Sequence, residues 1–371
     1  MKKIIAILAC LGLLAGLAAC MGGDGGLSNL NLVSEYHRDL AGTHINVYNW
    51  GEYISEDSML NVIRAFRALT GITVNYSYFS TNEEMYMRLT SGGAAYDIIF
   101  PSDYMIQRLI AEDWLLPLDF DHIPNFSFVP ERFRNLFFDP DGLYSVPYTY
   151  GMVGLIYNSA MVHEPPTSWE VLWDERYAGQ ILQFDSSRDA FGVAQYLLGI
   201  DINSHDVADW RAAAEKLKEQ APLVQNYVAD EIYDIMGANN AILGPYYAGD
   251  FLMMAMYNED LAFVYPEEGT NFFYDSIVIP RSAQNKEGAE MFINFLLEPD
   301  VAMRNAETIM YASPHTAVIE HPDYSFYGNP ILYPDEENMP IVQRFEHLPD
   351  GIIRLKNELW MEIRQITERA W

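Results

Sequence analysis

Residues 44–115 read HINVYNWGEYISEDSMLNVIRAFRALTGITVNYSYFSTNEEMYMRLTSGGAAYDIIFPSDYMIQRLIAEDWL, and two hydrophobic periods alternate along them. HINVYNW, ITVNYSYF and YDIIF are short, apolar or alternating runs that predict strands. SEDSMLNVIRAFRALTG predicts a helix, with Ser55 as N-cap candidate, Met59, Ile63, Phe66 and Leu69 as its apolar residues and Gly71 just past its end. TNEEMYMRLTSGG carries Thr81 with Glu84 at the capping-box spacing and stops at Gly92 and Gly93. SDYMIQRLIAEDWL predicts a third helix. The order β-α-β-α-β-α implies a parallel-type sheet flanked by helices, with ligand groups in the loops beyond the strand C-termini. Trp50, Glu52 and Tyr53 then fall just past the first strand, and residues 101–104, PSDY, just past the third. Aromatic faces and carboxylates are the side-chain surfaces that attract ammonium groups.

Toward the C-terminus a second α/β region starts after YSVPYTYGMVGLIYN, residues 144–158, whose two strand-like halves meet at Gly151 and could carry the chain between lobes. QILQFDSSRDAFGVAQYLL predicts a strand running into a helix. AILGPYYAGDFLMMAM and AFVYPEEGTNFFYDSIVIP follow, then a helical pair in KEGAEMFINFLLEPDVAMRNAETIM. No internal repeat is visible.

Toward the N-terminus, Lys2 and Lys3 precede an apolar run over residues 4–17, and LAAC follows at residues 17–20. The pattern resembles a lipoprotein signal peptide over residues 1–20, whose lipobox cysteine, Cys20, receives lipid and becomes the new N-terminus. The run is shorter than the roughly 20 apolar residues a membrane span needs. Cys10 would leave with the signal, so the mature chain has no disulfide. Residues 21–42, rich in Gly and small polar side chains, predict a flexible tether. The body beyond it is expected outside the cytoplasm, lipid-anchored to the cell membrane.

The 371 residues carry 52 Asp and Glu against 22 Lys and Arg, a formal charge of -30, which argues against nucleic acid and anionic lipid as partners. No two of the eight histidines stand at the i, i+4 spacing of a helical zinc site, and His315 and His321 are expected in loops or at the surface. Phosphate-loop, dinucleotide and nucleophile-elbow motifs are missing. Paired carboxylates are plentiful, so a carboxylate-dependent hydrolase stays open as an alternative.

What recurs is an aromatic residue beside an acid after a predicted strand: YNWGEY, SDYM, FDSSRDAF, PYYAGDF and NFFYDS. Together with STNEEMYMRL, YSVPYTYGMVGLIYN, PTSWEVLWDERYAGQILQFDSSRDAFG, PEEGTNFFYDSIVIP and ETIMYASPHTA, these segments resemble the spermidine/putrescine-binding proteins of bacterial ABC importers, in order from His44 to Asp350. The resemblance implies a two-lobed α/β periplasmic-binding-protein fold with a hinge and the ligand in the interlobe cleft. It implies lobe 1 over residues 43–149 and 275–319, and lobe 2 over residues 150–274 and 320–371. Carried over by motif, Trp50 and Tyr53 are aromatic walls, Ser102 and Tyr104 offer hydroxyls, and Asp189 and Asp275 hold ammonium groups. Tyr247 and Phe273 stand where the family often has tryptophans, and Tyr311 is a further aromatic contact.

Four positions depart from the family's pattern. Ser186 stands where some spermidine-preferring members carry an acid, Tyr247 and Phe273 are weaker cation–π partners than Trp, and a family glutamine falls near Phe345. With two acids counted, a diamine is favoured, unless Asp185 or Asp250 supplies a third. The expected protein is a monomer that captures putrescine or spermidine and passes it to a membrane permease powered by a separate ATPase, with no catalysis, cofactor or metal of its own. A binding protein for another small organic cation and a surface adhesin are the remaining alternatives.

Overall fold

Strand β1 (His44–Trp50) leads through helix α1 (Val62–Thr70) to β2 (Thr73–Phe79), then α2 (Asn82–Thr90), β3 (Ile98–Ile99) and α3 (Asp103–Ala111). β1 lies between β2 and β3 and pairs in parallel with both, as the alternation predicts. The computed structural model describes residues 23–93 and 95–370; the expected signal peptide and Cys20 lie outside the described residues. Thr81 caps α2 by accepting the Glu84 N–H at 3.1 Å, and Gly71 takes a left-handed φ of 80° past α1. The start of α1 departs from expectation. Asn61, not Ser55, is its N-cap, because Asp57 draws the N–H groups of Met59 and Leu60 into a local turn. Ser55 is buried in that turn and donates to the Leu60 carbonyl, while Met59 is exposed.

The second half of the chain continues with β4 (Ser145–Asn158), β5 (Ile181–Phe184), α4 (Ser187–Leu198), α5 (Val207–Gln220), β6 (Val224–Val228) and α6 (Glu231–Gly237). Then come β7 (Leu243–Tyr247), α7 (Ala248–Ala255), β8 (Leu261–Val264), β9 (Thr270–Val278), α8 (Lys286–Leu296), α9 (Pro299–Ile309), α10 (Thr316–Ile319), β10 (Val342–Gln343) and α11 (Asp350–Ala370). The main strand order is β2-β1-β3-β9-β4-β7-β5-β6. β4 is one continuous strand of 14 residues. Its first half pairs with β9 and its second half with β7 and β8.

Burial explains why the sheet serves two lobes. One core draws on residues 45–152 and 272–311; another draws on residues 153–261 and Phe345. The handover on β4 falls between Met152 and Val153, beside Gly151, where a Cβ would stand 2.9 Å from the Phe273 ring. The second lobe carries a further cluster in which Phe191, Trp210 and Leu217 pack against Leu359 and Ile363 of α11, a helix the sequence reading does not assign.

Two expectations are corrected here. Residues 24–42 are strapped to the first lobe from Asp24 onward, because Leu27, Leu30, Leu32, Tyr36 and Leu40 pack on its core. The buried Glu298 carboxylate accepts the N–H of Val33 and Ser34, at 2.7 and 3.0 Å, and the Tyr36 hydroxyl at 2.8 Å. A carboxylate so placed replaces water with three donors and fixes the strap. His315 stands in a loop, as expected, but not at the surface: it is buried, stacks on Phe128 with ring centroids 5.0 Å apart, and its Nε2 stands 3.0 Å from the Leu297 carbonyl.

Candidate functional site

A cavity lies where the two lobes meet. It has a volume of about 80 Å³, and its wall includes all nine candidates: Trp50, Tyr53, Ser102, Tyr104, Asp189, Tyr247, Phe273, Asp275 and Tyr311. Local structure explains the convergence. Trp50 ends β1, Tyr53 follows it, and Phe273 and Asp275 lie on β9. Helices α3, α4 and α7 each begin at the cavity, and each carries an aspartate in its first turn: Asp103, Asp189 and Asp250. A helix N-terminus favours negative charge, so these carboxylates are held in place by the backbone that presents them.

Hydrogen bonds then fix the acids. Asp275 accepts the Tyr53 hydroxyl and the Ser102 hydroxyl, both at 2.7 Å. Asn82 orients Ser102 from behind, at 3.0 Å, and Thr149 lies 2.6 Å from the Tyr53 oxygen. Asp250 accepts from Tyr233 at 2.5 Å and from Tyr311 at 2.8 Å. Asp189 accepts from Tyr247 at 3.1 Å. The donors are neutral, so each carboxylate is oriented but not neutralised.

Electrostatics record that deficit. Burial pushes the Asp189 and Asp275 carboxyls up to about 6 and Asp250 up to about 7. The hydroxyls of Tyr53, Ser102, Tyr233, Tyr247 and Tyr311 pull back but do not win. Burial also holds the phenols of Tyr53, Tyr247 and Tyr311 far above their ordinary value, so they remain donors. An uncompensated buried carboxylate calls for a cation.

Aromatic rings bridge the acids. Tyr53 meets Tyr311 edge-on at 5.3 Å between centroids, Tyr311 meets Phe273 at 6.1 Å, and Phe273 meets Tyr247 at 5.4 Å. The wall therefore runs unbroken from Asp275 and Asp250 to Asp189. Gly249 makes room for it, since a Cβ there would enter the Tyr311 ring. Trp50 is locked by its indole N–H to the Phe100 carbonyl at 2.7 Å. The far end is closed by Tyr104 and Phe345, edge to face at 5.9 Å.

Asp250 is one of three wall acids the nine candidates lack, with Asp103 and Asp230. Its signal is in PYYAGDF, one helical turn after Tyr247, and of the three it is the one oriented by hydroxyls of both lobes. Asp185, the other alternative, forms an ion pair with Arg364 and is not part of the cavity wall. Ser186 lines the cavity but also caps α4, its hydroxyl accepting the Asp189 N–H at 3.4 Å. Among the described residues no three His, Cys, Asp or Glu side chains converge as a metal site.

Comparison with known proteins agrees with this geometry. The profile of the family described as bacterial extracellular solute-binding protein matches residues 61–330. The spermidine/putrescine-binding periplasmic protein of Escherichia coli (strain K12) is 35% identical over 294 residues, covering 79% of this chain and 83% of that one. Among solved structures, a candidate spermidine/putrescine ABC transporter protein from Listeria monocytogenes superposes with a TM-score of 0.82 at 36% identity, over 87% of this chain and 99% of that one. The substrate-binding protein PotD of a spermidine/putrescine ABC transporter from Streptococcus pneumoniae gives 0.71 at 34% identity, over 88% and 100%. These relatives bind solutes for transport, which sets aside the hydrolase alternative. With two lobes around an acid-lined cavity and a profile match across most of its length, the chain belongs to the bacterial extracellular solute-binding protein family.

Proposed function

We propose that the protein captures a linear polyamine, putrescine or spermidine, in the interlobe cavity and delivers it to the permease of an ABC importer. One observation carries this reading: Asp275 is buried and Asp189 and Asp250 partly buried in the cavity wall, all three are oriented by hydroxyls rather than by a cation, and a continuous aromatic wall joins them. Ammonium groups satisfy the carboxylates, and methylenes between them lie against rings. The names of the relatives from E. coli and S. pneumoniae support the ligand class. Trp50, Tyr53, Phe273 and Tyr311 act as walls, and Ser102, Tyr104 and Tyr247 as hydroxyl contacts.

The lobes move as bodies about β4 and the β8–β9 connection, where the cores change hands. Ligand bridges them and populates the closed form that the permease recognises. Cys20 carries the lipid anchor, the mature protein is a monomer, and a separate ATPase drives transport.

Thermal denaturation with putrescine, spermidine, spermine and cadaverine tests the ligand class. Ligand at about 100 times its Kd adds roughly 2.7 kcal/mol of stability. No shift with any of the four amines would sink the reading. For the anchor, Cys20→Ala should release the protein in soluble form, and continued attachment with unaltered lipid labelling refutes it.

A further inference from the structure

Lys356 lies on α11, beyond the residues 61–330 that the family profile matches. It is 2% exposed. Its Nζ donates to Ser187 Oγ at 2.7 Å and stands 3.4 Å from Glu83 Oε1, so it ties α4 of one lobe to α2 of the other. Both partners adjoin the cavity. Ser187 follows Ser186 and Glu83 follows Asn82, two wall residues, and Glu83 accepts the hydroxyl of a third, Tyr104, at 3.4 Å. Lys356 therefore stands behind the Tyr104–Phe345 end.

A second buried cation reinforces that end. The Arg188 guanidinium lies 4.3 Å from the Phe345 ring centroid and 6.0 Å from that of Tyr104. Its hydrogen bonds go to the Ile202 and Glu346 carbonyls and the Asn203 side-chain oxygen, none of which cancels its charge. The cavity is thus asymmetric in charge. Asp250 and Asp275 receive only neutral hydroxyls, whereas the next acid past Asp189, Glu83, is already paired with a lysine of the same chain.

We propose that Lys356 is a specificity-determining residue that limits ligand length: its ammonium claims Glu83 and repels a further ammonium at the Tyr104–Phe345 end. The inference rests on the polyamine reading above. Like charges in a desolvated site repel strongly, and discrimination between similar ligands commonly works through such a repulsive element. A diamine reaching from Asp275 or Asp250 to Asp189 stops short of the Lys356 ammonium. A triamine extended past Asp189 does not.

Calorimetric titration of putrescine and spermidine into wild type, Lys356→Met, Lys356→Arg and the double variant Glu83→Gln/Lys356→Met tests this. Met keeps the aliphatic stem and removes the charge. In Lys356→Met the affinity ratio should move toward spermidine by about tenfold, as freed Glu83 takes the third ammonium. Lys356→Arg should keep the wild-type ratio. The double variant loses repulsion and acid together, so its shift should shrink to a few-fold while the sign persists. An unchanged ratio in Lys356→Met overturns the proposal, as does equal loss of both amines, which would make Lys356 an interlobe strut alone. If Lys356→Met fails to fold, an unchanged ratio in the double variant overturns it instead. Wild type that binds neither amine overturns the polyamine reading, and that failure is visible before any variant is made.

Discussion

Asp275 and Asp250 face the same cavity, but their hydrogen bonds come from different places. Asp275 is held by Tyr53 and Ser102, both of the first lobe, and sits on β9 within that lobe's core. Asp250 belongs to the second lobe and takes one donor from each side: Tyr233 from its own lobe and Tyr311 from the other. The first carboxylate is preformed; the second is completed when the lobes meet. Asp189 is a third case, held by Tyr247 of its own lobe and only partly buried. One cavity therefore contains an acid held within the first lobe, an acid shared by both lobes and an acid held within the second.

The largest effect should come from the preformed acid. Removing Asp275 leaves a buried ammonium without its partner, a loss of about 2–5 kcal/mol, so Asp275→Ala should weaken polyamine binding by tens- to thousands-fold. Its melting without ligand should persist, and calorimetry together with a ligand-free melt checks both.

Asp189→Ala should cost less, about 1.5–3 kcal/mol, because Asp189 is only partly buried and solvent screens its ammonium more than at the buried Asp275. An equal or larger loss than in Asp275→Ala, measured side by side, would contradict the ranking.

Tyr311→Phe deletes one cross-lobe hydrogen bond from a neutral donor, at the low end of about 1.5–3 kcal/mol for a bond to a carboxylate that Tyr233 still holds, and should weaken binding by roughly tenfold. Small-angle scattering with saturating ligand should show less complete closure, a signature that Asp275→Ala does not share once ligand is saturating. If Tyr311→Phe closes normally, the distinction between preformed and closure-dependent acids fails.

The smallest effect is a pH dependence. Burial raises Asp189, Asp250 and Asp275 from an ordinary value of 3.8 to about 6, 7 and 6. Raised acids stabilise the ligand-free fold fully below the ordinary value, and that contribution is lost as pH rises through about 6 to 7. Ammonium ligands need the ionised forms, so affinity should rise over the same window. Melting curves with and without putrescine should diverge between about pH 5 and pH 8, and parallel curves would refute the assignment.

Much of this was legible along the chain because its cause is local. Alternation of two hydrophobic periods encodes the strands and helices of residues 44–115, and short-range chemistry caps α2 at Thr81 and ends α1 at Gly71. Aromatic–acid pairs beyond predicted strands mark where the site lies, since strand ends are where α/β chains gather side chains, and the family resemblance, carried over by motif, supplies the nine candidates. Local competition also explains a miss: Asp57 and Asn61 outbid Ser55 for backbone N–H groups by a margin that spacing does not reveal. Asp250 was visible as a residue in a motif, but its rank as a principal acid depends on Tyr311, distant by 61 positions.

The remaining features depend on partners that no period links. Glu298 straps residues 33 and 34 across separations of 265 and 264 positions, turning an expected tether into part of the lobe. Glu83 and Lys356 meet across 273 positions. Periodicity and capping report which residues neighbour one another within a turn or a strand, and that suffices for element type, element order and the placement of acids at strand ends. Which acids share a cavity, which are already neutralised and which are completed only by the opposite lobe depend on burial and on approach between distant segments. Only the packed chain sets those, because desolvation and Coulomb interaction act through space rather than along sequence.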